Sequence, residues 1–295
     1  MTDQSTRDGR TWRQHFPDGD LWVFGYGSLI WKPPPHFDKR VPGYISGYVR
    51  RFWQASTDHR GTPEQPGRVV TVIERSFWET LDDPQNHLES SATSTIWGAA
   101  YHIPASHAEE VHDYLDVREI DGYTVHYTPF YTVSAQEGTT TSITAVDSSE
   151  IREDTPTSAV PSPDQHHHRQ HPHIDSDLSA SPPPSHPKPI TCMVYIGQPT
   201  NPQFLRNPSE RDPAAVATVI SQGQGQSGRN PEYLYLLEKG LEGLGLGTAD
   251  GHVTDLVRRV KIIEGQHDRT EQANAEELNA EREVRKSVAG LEQLG

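Results

Sequence analysis

The chain has 295 residues, only 33% of them hydrophobic, with 24 Pro, 23 Gly and a formal net charge of −15. That length admits one or two domains with a sizeable core, but so polar a composition implies that part of the chain is solvated rather than folded. The acidic balance argues against nucleic acid or an anionic membrane as partner, and no apolar run approaches the roughly 20 residues of a bilayer span.

Residues 1–19 read as a polar leader with no apolar signal core, so a cytoplasmic protein is expected. An ordered pattern begins at Asp20. Residues 21–24 read as a buried strand that ends in Gly25-Tyr26-Gly27-Ser28. The glycines flanking Tyr26 are expected to turn with positive φ. A turn of this kind aims consecutive N–H groups into one small concavity, which suits carboxylates and oxyanions. Taken alone, the tetrad is equally compatible with an ordinary strand-to-loop turn. The triple proline at 33–35 requires a loop, and 41–56 reads as a long strand broken at Gly47. Turn-rich sequence at 57–67 leads into a strand at 68–74. Residues 79–95, acidic and rich in Ser and Thr, read as a surface excursion. A strand follows at 96–103. Ser106 with Glu109 gives a capping box for a helix ending near Val117, with Val111, Tyr114 and Leu115 on one face. Residues 123–133 are again strand-like.

The character then changes. Residues 135–188 are dominated by Ser, Thr, Pro and His, and read as a disordered insertion into one domain spanning 20–265. Strand pattern resumes at 190–197 and contains the single cysteine, Cys192. A lone thiol excludes an internal disulfide framework and fits a reducing compartment; within this apolar run it reads as buried and inert. Helical pattern covers 210–222, 230–244 and 251–264, and 266–295 reads as a charged helical tail. The glycine-rich stretch 223–228 lacks the Gly-Lys-Ser/Thr ending of a phosphate loop and reads as a flexible link between helices. His166, His167, His168, His171 and His173 lie in the insertion without fixed geometry, so no metal site is expected there.

Glu119 follows the predicted helix of 106–117, just before Asp121-Gly122 turns the chain into the next strand. A carboxylate at such a corner can face apolar neighbours while staying reachable from a cleft, and burial would raise its pKa. The alternative is a solvated corner in which Asp116, Arg118, Glu119 and Asp121 are only surface charges.

Several segments in order, VFGYGSLIWKP, RRFWQASTDHRGTPEQPGRVVTVIE, YLDVREIDGY, VYIG and SGRNPEYLYLLE, resemble the glutathione-specific γ-glutamylcyclotransferases of the ChaC type. The resemblance covers about residues 20–133 and 188–260. It implies an α+β fold, a small mostly antiparallel barrel or sheet with packed helices. It implies cleavage of glutathione to 5-oxoproline and cysteinylglycine without cofactor or metal. By position, it implies that Val23, Phe24, Gly25, Tyr26, Gly27 and Ser28 hold the γ-glutamyl group and that Glu119 is the general acid/base. Arg60 or Arg50 is a candidate for the substrate's glycine carboxylate, His59 for a turn or ligand contact, and Trp53 and Tyr195 for core or cleft wall. Two other readings stay open: action on other γ-glutamyl amino acids or amines, and a non-catalytic γ-glutamyl-binding scaffold. Protein partners are not legible.

Overall fold

In the computed structural model the described residues are 11–89, 95–119, 122–133, 188–245 and 250–292. The insertion with its histidine run therefore lies outside them, as do Ile120 and Asp121.

The residues expected to be strands do form them, and five close a barrel in the order β1-β5-β2-β6-β7. β1 (Leu21–Gly25) pairs antiparallel with β5 (Thr95–Ile103), which pairs with β2 (Lys39–Ser46). β2 continues to β6 (Thr124–Thr132) and β6 to β7 (Ile190–Ile196), both antiparallel. The ring shuts where Val23 of β1 meets Met193 of β7 in parallel. Composition explains why these segments choose strands: Leu21, Val23, Ile45, Phe130 and Met193 are fully buried, and the aromatic and β-branched residues fit a pleated surface. Cys192 is buried in β7, and burial pushes its thiol far above the ordinary range, so it is inert as expected.

The break expected at Gly47 within 41–56 is there, and it separates two strands that belong to different sheets. β3 (Tyr48–Ser56) leaves the barrel after Gly47 and pairs with β4 (Gly67–Glu74) as a separate ribbon, with one isolated bridge from Gln54 to Phe204. This ribbon is covered on both faces: Phe52 and Val72 join the main core, while Val49, Trp53 and Ile73 form a second core with Trp78 and Phe204. α3 (Pro213–Gln222), α4 (Asn230–Glu242) and α5 (Gly251–Glu292) pack together, and α3 and α4 lie on β4. Asp212 caps α3 by accepting from Ala214 and Ala215 amides, and Pro213 sits at the first helical position where its missing N–H costs nothing. Among the described residues no helix is long and apolar enough to cross a membrane.

Four sequence expectations are corrected. Ordered chain starts before Asp20: Thr11–His15 forms a short 3-10 helix and inserts Trp12 into the main core beside Phe16. The helix at Ser106 starts later, as α2 (Ala108–Arg118), with His107 at the cap position and no side-chain cap. The cause is a tight turn in which the His107 amide donates to Pro104 O at 2.9 Å, carrying Ser106 out of register for a capping box. The excursion at 79–95 is not all surface. After the one-turn α1 (Arg75–Trp78), Asp83 and Gln85 are buried. Asp83 Oδ2 accepts from both Arg51 Nε and Trp78 Nε1 at 2.8 Å, and Glu89 adds a contact to Arg51 at 2.6 Å. A buried arginine demands such partners, which is why this polar sequence folds inward. Finally, Arg50 is buried and paired with Asp250 at 2.8 Å, so it does not reach the cleft described below.

One buried titratable group gives a pH prediction. His252 of α5 accepts the Phe52 amide on Nε2 at 2.9 Å, leaving Nδ1–H to donate to Gln85 Oε1 at 2.7 Å. Desolvation first, then Arg51 and Arg50, hold its pKa well below the ordinary imidazole value. Above about pH 6.5 both folded and unfolded states keep it neutral. Below that the unfolded chain takes up a proton the folded one refuses. Stability therefore falls by up to about 1.4 kcal/mol per pH unit until the depressed folded pKa is reached. Urea midpoints at pH 7.5, 6.5 and 5.5 should show a steeper loss than His252→Gln shows; equal slopes would remove His252 from the account.

Candidate active site

β1 ends at Gly25, and the chain drops Tyr26 into the core, where its hydroxyl donates to Tyr195 O at 2.7 Å. Ser28–Ile30 then make one turn of 3-10 helix, whose Ile30 amide donates back to Gly27 O at 3.0 Å. Among the described residues the Gly27, Ser28 and Leu29 amides have no acceptor in the turn. Such amides at the start of a helical turn are the orphan donors that suit an anion or a developing oxyanion. The positive φ expected at Gly25 and Gly27 is absent; Gly27 sits at φ −125°. Space is what they provide. A Cβ on Gly27 would fall 2.9 Å from Val70 Cγ1 and 3.2 Å from Tyr233 Oη.

Glu119 is the C-cap residue of α2, its amide donating to Leu115 O at 2.8 Å. Just beyond, Gly122 adopts φ +79° and packs so closely on Asn201 that a Cβ would lie 2.3 Å from its Oδ1, which lets the chain swing into β6. The Glu119 side chain is 18% exposed. Burial raises its pKa, and Arg118, 3.4 Å away, and His59 oppose that only in part. This is the inward corner carboxylate of the first sequence reading, and the solvated-corner alternative does not fit its burial.

Two adjoining compartments meet at Glu119. The inner one, about 40 Å³, is walled by Phe24, Tyr26, Gly27, Ser28 and Tyr195. The outer one, about 150 Å³, carries Lys32, His59, Arg60, Arg118 and Ser227. Ser28, Glu119, Tyr123 and Tyr233 line both. Arg118 braces the junction, donating to Ser28 Oγ at 3.1 Å and Lys32 O at 2.9 Å. Desolvation, reinforced by the nearby Glu119 carboxylate, pushes the Tyr26 and Tyr233 hydroxyls far above their ordinary range, so both are neutral hydrogen-bonding groups.

Of the six turn residues named from sequence, Phe24, Tyr26, Gly27 and Ser28 line the cleft. Val23 is fully buried in the core, and Gly25 packs against Leu29, where a Cβ would lie 2.5 Å from Leu29 Cβ. Neither reaches the cavity with a side chain. Trp53 is core, in the second cluster, and Tyr195 is cleft wall.

The stretch read as a flexible link at 223–228 is instead a small hairpin, β8 (Gln224–Gly225) and β9 (Gly228–Arg229). Gln226 and Ser227 amides donate to Asp58 O and His59 O, each at 3.0 Å. Ser227 Oγ then meets His59 Nδ1 at 2.8 Å, while His59 Nε2 faces Arg118 O at 3.3 Å. The hairpin thus orients His59 and brings Ser227 to the cleft. Tyr233, Tyr123, Lys32 and Ser227 also line the cleft and were not singled out from the sequence; only the Pro-Glu-Tyr pattern opening α4 hinted at Tyr233.

The first strand of the barrel thus opens onto a desolvated carboxylate, turn amides without an acceptor in the turn, and a rim of cations. The chain belongs to the ChaC-like protein family, whose sequence model matches residues 21–263. It is 36% identical over 245 residues to the glutathione-specific γ-glutamylcyclotransferase of Schizosaccharomyces pombe, covering 83% of this chain and 94% of that protein. Identity to the Saccharomyces cerevisiae protein of the same name is 34% over 244 residues, 80% of this chain and 91% of the other. For human glutathione-specific γ-glutamylcyclotransferase 1 it is 31% over 249 residues, 82% of this chain and 81% of the other. A selenomethionine crystal structure of a γ-glutamyl cyclotransferase specific to glutathione from yeast superposes with a TM-score of 0.60 at 29% identity, over 82% of this chain and 96% of that one. The α+β barrel expected from the sequence is the fold observed.

Proposed function

We propose that this chain is a glutathione-specific γ-glutamylcyclotransferase, releasing 5-oxoproline and cysteinylglycine. The observation that carries the reading is Glu119, desolvated and shared between a tight inner compartment and a cationic outer one. The names of its relatives point to the same substrate.

In this reading the γ-glutamyl group occupies the inner compartment and the cysteinylglycine part the outer one. Glu119 takes a proton from the substrate's α-amine, whose lone pair attacks the γ-carbonyl carbon and closes a five-membered lactam. The orphan amides at Gly27–Leu29 hold the tetrahedral oxyanion. As the C–N bond to cysteine breaks, Glu119 returns the proton to the departing nitrogen. The α-ammonium sheds two protons in becoming the lactam N–H, and the amide N–H gains two in becoming the cysteinylglycine ammonium; Glu119 relays both in turn, as base and then acid, and no water is consumed. An α-amine titrates near 8 and a free Glu near 4.3, a gap of roughly 3.5 units that burial of Glu119 narrows. Folding the substrate into a ring-closing conformer supplies a further large share of the rate.

Arg60 is the cation placed to take the glycine carboxylate. It lies over the Tyr233 ring at 5.4 Å and is held by Arg229 O at 3.0 Å, and burial has stripped part of its hydration. The test is 5-oxoproline release by wild type and Arg60→Ala from glutathione and from γ-glutamylalanine. The reading expects turnover of glutathione, a weaker rate on the shorter substrate, and a roughly tenfold higher KM for glutathione in the variant. No 5-oxoproline from glutathione would overturn the function; an unchanged KM would overturn only the role of Arg60.

A further inference from the structure

At the N-terminal end of α2, His36, His107 and Glu110 bring three ligand atoms within 4.8 Å of one another. His36 Nε2 lies 3.4 Å from Glu110 Oε1, and His107 Nδ1 lies 3.4 Å from Glu110 Oε2. Two donors on a tetrahedral Zn²⁺ with bonds near 2.1 Å stand roughly 3.4 Å apart, so each His-to-Glu110 separation is one that a shared ion could bridge once the rings turn. We propose that His36, His107 and Glu110 form a surface site for a divalent transition ion of the zinc class, fastening the loop after the triple proline to the first turn of α2.

Three further observations support it. His107 and Glu110 are separated by three residues at the helix start, a spacing that puts both side chains on one face. His36 is the one non-glycine residue in the left-handed region among the described residues, at φ 58°. That conformation is uncommon for a side chain with a Cβ, and here it turns the imidazole toward its partners. Its ring stacks on His107 at 4.2 Å with 5° between planes. Face-to-face rings do not yet aim both lone pairs at one point, so ligation requires each imidazole to swing about its terminal torsion. That torsion is broad, and both side chains are 40% exposed. Two imidazoles with one carboxylate favour zinc, nickel or copper over magnesium or calcium. The set leaves a fourth position to water.

The proposal is independent of the catalytic reading. Its test is thermal unfolding of the full chain with Zn²⁺ or Mg²⁺ at about 100-fold over the dissociation constant for Zn²⁺. A ligand that binds only the folded state raises Tm, here by about 5 °C. Zn²⁺ should raise Tm and Mg²⁺ should not. The rise should vanish in His36→Asn/His107→Asn, where asparagine tolerates both the left-handed backbone and the helix cap. It should persist when His166, His167, His168, His171 and His173 are all changed to Gln. A rise that survives the double variant, disappears with the His run, or is absent in wild type would overturn the site.

Discussion

Glu119→Gln is expected to lower kcat for 5-oxoproline release about 10³-fold or more, with KM for glutathione within a few-fold of wild type. The amide keeps the shape and can still hydrogen-bond, but it neither accepts the amine proton nor returns it. Stability should hold or rise, because the substitution removes a desolvated charge from a site 18% exposed. Wild type should also show an acid limb in kcat displaced upward from that of an ordinary carboxylate, in the direction that burial drives Glu119. Steady-state kinetics across pH read both effects. Near-wild-type kcat in a folded Glu119→Gln protein would end the assignment.

The largest stability effect is expected far from the cleft. Asp83→Ala leaves the fully buried Arg51 guanidinium without the acceptor of its Nε and takes the partner from Trp78 Nε1 as well. Breaking a buried pair from one side typically costs 3–5 kcal/mol, against less than about 1 kcal/mol for an exposed pair. Glu89 remains as a partial partner, so the lower half of that range, about 3 kcal/mol, is the expectation, read from urea unfolding. A loss below about 1 kcal/mol would mean that Arg51 finds solvent or a substitute acceptor.

Those two residues show what the sequence disclosed and what it did not. The inward position of Glu119 was legible because it belongs to a contiguous motif at a helix end, where local pattern and position agree. The barrel strands were legible for the same reason: each is a short β-branched and aromatic run bounded by turn residues. Asp83 was hidden because its partner, Arg51, is remote in sequence, and acidic, Ser-rich surroundings look solvated until a buried cation calls one carboxylate inward. The splitting of 41–56 between two sheets was equally invisible, since pairing depends on which strands are available elsewhere. The β8–β9 hairpin was misread because its order comes from the Asp58 and His59 carbonyls, not from its own glycine-rich residues. Tyr233 and Lys32 were overlooked because nothing in a helix register or a loop states which cavity a side chain will border.

β6 and β7 run side by side from Thr124↔Ile196 to Phe130↔Ile190, although some sixty residues of chain separate their joined ends. Compared with a ten-residue connection, the extra loop-closure entropy is only about 1.5 kcal/mol, and doubling the intervening length again would add about 0.6 kcal/mol. By that arithmetic the length of chain between the two strands weighs little on the closure of the barrel. Its toll falls on kinetics: the final stave of the barrel must wait for a distant part of the chain to arrive before the ring can shut.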